Sequence, residues 1–178
     1  LTNSVMLIDE TYFTGDLHID GLVPSSGVPS LTNEAINSEF KALAAKFERD
    51  FYRQILGKDN ADAFVSFLDL LEKDPDKADE RRWMDLMEVL VDDAGGTLES
   101  PIAYYIYFFY LRRNQLEATP VGVTEADAKI VPCNRKMIDA WNQMVYMNDY
   151  LSRWLFDHRD DYGGYFFDND MLETTSVP

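Results

Sequence analysis

The sequence has little of the chemistry that most catalytic and metal sites use. It holds one cysteine, Cys133, so no disulfide can form within the chain. Its two histidines, His18 and His158, are far apart in sequence, and neither stands in a zinc-binding spacing such as His-Glu-x-x-His. We therefore expect no metal site, and surface positions for both histidines. A nucleophilic role for Cys133 is not expected either, because no histidine lies near it in sequence to act as a base.

Positive charge is also scarce. The chain has 16 basic residues against 32 acidic ones, which gives a formal net charge of −16. Proteins that wrap DNA or bind anionic membranes need a positive footprint, so the sequence excludes both classes. The acidic surplus has two interpretations. It keeps copies of the protein apart in solution, or it lines a channel through which DNA passes without sticking.

Long hydrophobic runs and phosphate-binding glycine patterns are missing as well. The longest apolar run, from Ile102 to Leu111, has about half of the ~20 residues that span a bilayer. The glycine pairs at 95–96 and 163–164 match neither a P-loop nor a dinucleotide-binding pattern. The acidic residues near the C-terminus fit no register of an EF-hand. The sequence thus predicts no enzyme, no cofactor, no metal, no specific nucleic-acid binding and no membrane contact.

Apolar and aromatic residues at helical spacing are abundant. Hydrophobic residues make up 46% of the 178 positions, which is enough for one domain with its own core. Apolar side chains recur every three to four residues in five stretches, the pattern of helices with one buried face. The stretches run from about 32 to 57, 59 to 71, 81 to 94, 101 to 115, and 134 to 158. The predicted fold is therefore mainly α, a single-domain bundle of about five helices.

The fourth stretch has the clearest start. Ser100 stands at the N-cap position and Pro101 at the first helical position, where its missing N–H costs nothing. The run that follows, 102–111, is apolar or aromatic on all sides, which is typical of a central helix packed by neighbouring helices or by another subunit. A buried strand is the competing interpretation, because aromatic residues favour sheets. The polar continuation at 112–115 favours the helix.

Three regions follow from these patterns. Residues 1–31 are predicted to form an extended N-terminal arm, which has room for one or two short strands. Residues 32–158 are predicted to form the helical bundle, and residues 159–178 a flexible acidic tail. The arm and the tail hold apolar residues without an evident place in the bundle. We therefore expect subunits to pack side by side and exchange arms. The candidate interface residues are Phe13, Leu17, Leu22, Tyr105, Phe109, Tyr165, Phe166 and Phe167.

Several stretches together form a pattern that is found in a known family: residues 6–15, 47–51 with 56–57, 102–114, 121–124 and 140–145. They resemble the head-to-tail connector, or adaptor, proteins found in phages and prophages of Bacteroides-like bacteria. The resemblance is one of general pattern and spans most of residues 6 to 155. The loop after the aromatic helix departs from the family, in which it is longer and more basic. Here Glu125, Asp127 and Lys129 give it a mixed charge.

The resemblance implies a structural virion protein of the phage neck. Such a protein forms or joins a ring between portal and tail by protein–protein contacts, and its partners are copies of itself and the portal and neck proteins. It would reside in the virion, and in the cytoplasm of the bacterial host during assembly. The alternative function is a cytoplasmic helical binding or regulatory protein, including an acidic inhibitor that mimics DNA. An enzyme whose site the sequence does not reveal is a third hypothesis.

Overall fold

A computed structural model describes residues 5–22, 31–92, 98–117 and 133–163, and within these ranges the chain is mainly helical, as predicted. Four α-helices account for most of these residues: α1 (Leu31–Lys73), α2 (Arg81–Leu90), α3 (Pro101–Glu117) and α4 (Cys133–Asp157). Four short 3-10 helices join or flank them: Glu10–Tyr12, Gly15–Leu17, Pro75–Lys77 and Arg159–Tyr162. Asp92 and Glu99 exchange two backbone hydrogen bonds of 2.8 Å between α2 and α3.

The first two predicted helices form one element, α1, which is interrupted at a single residue. Gly57 has φ 73° and ψ 169°, while the residues on either side of it are helical. Buried side chains occur on both sides of this break, for example Leu56 before it and Phe64 after it. The prediction that helical geometry stops at Gly57 was correct, but the next helix follows directly. The described chain therefore has four helices instead of five.

The predicted start of α3 is confirmed. Ser100 Oγ accepts a hydrogen bond of 3.2 Å from the Ile102 N–H, and the Ser100 carbonyl accepts one of 3.3 Å from the Tyr104 N–H. The side chain thus caps the helix, and Pro101 occupies a position that needs no N–H donor. The competing interpretation of this run as a strand is wrong.

The central position predicted for α3 is confirmed too, and its own chain supplies the cover. Helix α4 packs along α3, and α1 packs against it as well. Phe109 stacks on Phe47 of α1 with ring centroids 4.3 Å apart, and Phe108 meets Trp141 of α4 at 4.8 Å. The sequence left open whether helices of the same chain or another subunit pack on α3, and these aromatic contacts come from the same chain.

The prediction of an extended arm is wrong for residues 5–22. This N-terminal segment, residues 5–22, folds into two 3-10 turns without a strand, and it packs on the helices of its own chain. Phe13 packs edge-on against Phe40 of α1 with centroids 4.6 Å apart. The buried residues of the segment are Ile8, Tyr12, Phe13, Leu17 and Ile19. Burial of these side chains holds the segment on the bundle, although its sequence lacks helical or strand periodicity.

The beginning of the predicted tail also belongs to the core. The 3-10 helix Arg159–Tyr162 continues α4, and its Tyr162 side chain is buried against Trp83 of α2. The Tyr162 hydroxyl donates a hydrogen bond of 2.9 Å to the Arg82 carbonyl. The boundary of the folded part therefore lies beyond residue 158. Tyr165, Phe166 and Phe167 lie outside the described residues.

Because of the break in α1, the substitution Gly57→Ala should lower the stability of the protein, whereas the same change inside a continuous helix would raise it. In a continuous helix alanine would stabilise by about 1 kcal/mol relative to glycine. At φ 73° and ψ 169° a Cβ atom is strained, so we expect the free energy of unfolding to fall by about 1–3 kcal/mol. Urea denaturation measures it, with Ala42→Gly on the exposed side of α1 as the control for an ordinary helical position. A gain in stability for Gly57→Ala would show that the helix runs through residue 57.

Candidate functional site

The described residues were searched for clusters of possible metal ligands, and none is present among them. Within 5–22, 31–92, 98–117 and 133–163, no three His, Cys, Asp or Glu side chains come together in a way that could hold a metal ion. The histidines have ordinary structural contacts. His18 lies 3.2 Å from Asp20 on the surface, and the ring of His158 stacks on Trp154 at 4.2 Å. In the same part of the chain, no helix is long and apolar enough to cross a membrane.

Glu48 of α1 is only 2% exposed, and its carboxyl group has a perturbed pKa. Its Oε1 accepts a hydrogen bond of 2.7 Å from the Leu7 N–H, and its Oε2 accepts one of 3.2 Å from the Ile8 N–H. The Tyr52 hydroxyl donates a further bond of 2.8 Å to Oε1. Burial raises the pKa of this carboxyl from its usual 4.5 to about 7, although the three hydrogen bonds act in the opposite direction.

Glu48 serves the N-terminal segment in place of a strand partner. Backbone N–H groups that are buried must find acceptors, and the segment has no sheet to supply them. The carboxylate provides two, and Asp69 Oδ1 accepts a third bond of 3.3 Å from the Val5 N–H. We read this as a structural clamp. This clamp was not predicted, although the sequence has a signal for it: Glu48 interrupts the apolar face formed by Phe40, Leu43, Phe51 and Ile55.

A polar groove of about 790 Å³ lies between the 3-10 helix Gly15–Leu17, α3 and the first turns of α4. Asp16 lines one wall, and the α4 wall holds Arg135, Lys136 and Asp139, so the groove has both signs of charge. Tyr104, also in its wall, has a pKa raised by burial and by the nearby carboxylates of Glu99 and Asp16. A raised pKa keeps this phenol in its neutral form. The groove therefore offers hydrogen-bonding groups and charges of both signs.

The outer face of α4 carries the most exposed large apolar side chains of the described structure. Tyr146 is 78% exposed and Tyr150, one turn further on, is 63% exposed. The opposite face of the same helix is buried through Met144, Leu151 and Leu155. Arg153 is exposed one turn after Tyr150. Tyrosine and arginine are enriched at the centres of protein interfaces, where large side chains become fully desolvated. This outer face is therefore the best candidate for a binding surface.

The structure places the predicted interface residues elsewhere. Phe13, Leu17 and Tyr105 are buried in the core of their own chain, and Leu22 and Phe109 are partly buried against it. Their role at an interface stays a prediction. These residues come from the most apolar stretches of the sequence, and such stretches are the ones that a fold buries first.

Tyr146 and Tyr150 were missed as interface residues, although their helix was predicted. The predicted inner stripe of that helix is apolar apart from Asn148, and it consists of residues 137, 141, 144, 145, 148, 151 and 155. At 100° per residue, Tyr146 projects on the side away from this stripe. An aromatic residue on the polar side of an amphipathic helix was the available signal.

Comparison with protein-family models, with curated proteins and with solved structures finds no match to this chain. The exposed face of α4 is therefore interpreted from its own geometry.

The buried carboxyl of Glu48 makes stability depend on pH in a defined direction. The folded protein holds this proton more tightly than the unfolded chain, so the contribution is complete below the unfolded pKa of 4.5 and is lost as the pH rises through about 7. Relative to Glu48→Gln, we expect the wild type to lose about 3 kcal/mol of unfolding free energy over that range.

Chemical denaturation between about pH 4.5 and pH 8.5 measures the unfolding free energies of the wild type and Glu48→Gln, over a range that includes the raised pKa of Glu48. Glu72→Gln, at an exposed position near the end of α1, is the control and should follow the wild-type profile. A gap between the wild type and Glu48→Gln that does not change with pH would contradict a raised pKa.

Proposed function

We propose that this protein works by binding other proteins through the outer face of α4, as a structural subunit of a phage neck. The observation that supports the binding role is the exposed pair Tyr146 and Tyr150 on an otherwise polar helix face. Covering a tyrosine ring removes a large apolar area from water, while its hydroxyl keeps a hydrogen bond at the edge of the contact.

The support beneath this face favours tight contact. Helix α4 packs along α3 through side chains that are fully buried, including Met144, Leu151 and Leu155. A surface on a firmly packed helix loses little conformational entropy when a partner binds. Tyrosine adds to this advantage, because only two side-chain torsions have to be fixed. The face is thus preorganised for a protein partner.

The assignment to a phage neck rests on the sequence resemblance to connector proteins. The helical fold agrees with the helical subunits that this resemblance implies. The proposed partners are further copies of this chain in a ring and the portal and neck proteins on either side of it. With a net charge of −16, carboxylates on the inner wall of such a ring would repel the phosphates of passing DNA. The proposed location is the virion, and the host cytoplasm during assembly.

The double substitution Tyr146→Ala/Tyr150→Ala tests the proposal. Because both side chains are exposed, the free energy of unfolding should change by less than about 0.5 kcal/mol. Loss of two aromatic anchors should reduce binding about tenfold or more. We therefore expect phage particles induced from a host that carries the variant gene to contain about a tenth of the wild-type amount of this protein, measured by quantitative mass spectrometry.

The control is Met84→Ala, which truncates another exposed apolar side chain on a different helix, α2. This variant should enter particles normally. Absence of the wild-type protein from purified particles would reject the neck assignment. Normal incorporation of the double variant would reject the α4 face. A DNA-mimicking inhibitor would instead use carboxylates, so retained binding to a basic DNA-binding protein by the double variant would favour that alternative.

A further inference from the structure

The outer face of α4 has a charge pattern in which positive residues would meet negative ones if a second α4 lay against it in the opposite direction. At 100° per residue, positions 135, 139, 146, 153 and 157 all project within about 20° of the Tyr146 direction. All five are exposed. Their sequence is arginine, aspartate, tyrosine, arginine and aspartate, which places one Arg–Asp pair towards each end of the helix and tyrosine midway.

The spacing about Tyr146 is symmetric. Asp139 lies seven residues before it and Arg153 seven after it, about 10 Å away on each side along the helix axis. Arg135 and Asp157 lie 11 residues before and after it, about 16 Å away on each side. If a second α4 is laid against the first in the opposite direction, every arginine of this set meets an aspartate.

We propose that this face binds a second copy of the chain, with the two α4 helices antiparallel and Tyr146 on the two-fold axis. The pairs are Arg135 with Asp157 and Asp139 with Arg153, each formed twice by symmetry. A parallel arrangement in the same register would oppose arginine to arginine and aspartate to aspartate. The charges therefore select the direction and the register of the contact.

The ion pairs within one subunit do not prevent this exchange. Arg135 lies 4.0 Å from Asp139, and Arg153 pairs with Asp149, both at a separation of four residues on the exposed side of the helix. Exposed pairs of this kind contribute about 0.3–0.5 kcal/mol. They are weak enough to be replaced by pairs between subunits, which are better shielded from water at a contact.

Tyr146 and Tyr150 would form the apolar centre of the contact, with the ion pairs on either side. From Arg135 to Asp157 the stripe is about 33 Å long, which allows a small interface. The net charge of −16 on each copy opposes association at long range. We therefore expect a reversible dimer with a dissociation constant of about 10 μM to 1 mM, in the range of small interfaces.

This inference rests on the proposed function only for the use of the α4 face, and it deepens that proposal by naming a partner. A contact with two-fold symmetry closes after two copies and cannot by itself build a ring. It would pair subunits, while a ring would need another surface of the protein.

Cross-linking tests the register. With helix axes 8–10 Å apart, the two Cα atoms at a residue on the two-fold axis come about 4–5 Å from each other, within disulfide range. In a Cys133→Ser background, Tyr146→Cys should form a disulfide-linked dimer when copper phenanthroline is added as the oxidant. Tyr150→Cys is the matched control, because its two copies would lie about 12 Å apart along the axis, beyond disulfide range.

Charge exchange tests the pairing. Asp139→Arg opposes like charges at two symmetric places, and so does Arg153→Asp, so each should weaken dimerisation about tenfold or more in sedimentation equilibrium. The double variant Asp139→Arg/Arg153→Asp restores opposite charges and should recover dimerisation. Lys73→Asp in the last turn of α1 makes the same change of charge as Arg153→Asp, but away from this face, and should leave dimerisation unchanged.

A monomer at all concentrations up to about 1 mM would overturn the inference. Equal cross-linking at positions 146 and 150 would overturn it as well, and so would a dimer that neither single charge reversal weakens. These results are distinct from failure of the proposed function. A monomeric protein that enters phage particles through Tyr146 and Tyr150 would keep the neck role and remove only the two-fold contact.

Discussion

Residues 102–111 of helix α3 are apolar or aromatic around the whole circumference, and such a run is buried by neighbouring elements on most sides. Helices α1 and α4 cover two sides of it, through contacts such as Phe47 with Phe109 and Trp141 with Phe108. The N-terminal segment reaches α3 as well, where the Tyr107 hydroxyl donates a hydrogen bond of 3.4 Å to the His18 carbonyl. The arrangement of the other elements follows from this requirement, because each of them turns its apolar face towards α3 or towards the helix beside it.

The use of an irregular segment as cover has an electrostatic consequence. Residues 5–22 lack the ladder of hydrogen bonds that a helix or sheet would give, so their buried amides need acceptors from elsewhere. Glu48 supplies two of them from α1 and is itself buried by doing so. A carboxylate in such surroundings is costly, which explains why its pKa rises to about 7 despite the hydrogen bonds that it accepts. The clamp and the perturbed carboxyl are therefore one feature.

Helix α4 links the core to the surface. Its inner face is committed to α3, which fixes the helix in place and leaves the opposite face outward. That face has two exposed tyrosines, and it has opposite charges at equal distances before and after Tyr146. Exposed aromatic rings gain free energy when a partner covers them, and patterned charges determine which partner and which orientation fit. The buried face and the proposed binding surface thus lie on two sides of one helix.

The sequence by itself determined the helical class, the capped start of α3 at Ser100, the interruption at Gly57 and the central place of the aromatic run. These features depend on neighbouring residues, through periodicity, capping and backbone conformation. The tertiary structure alone decided that the cover of α3 comes from the same chain, that Glu48 is buried, and that Tyr146 stays exposed. Periodicity shows that a helix has an apolar face, but not which element covers it. Residues 5–22 illustrate the reason, because their burial depends on contacts with Phe40 and Glu48, which are distant in sequence and form only when the chain has folded.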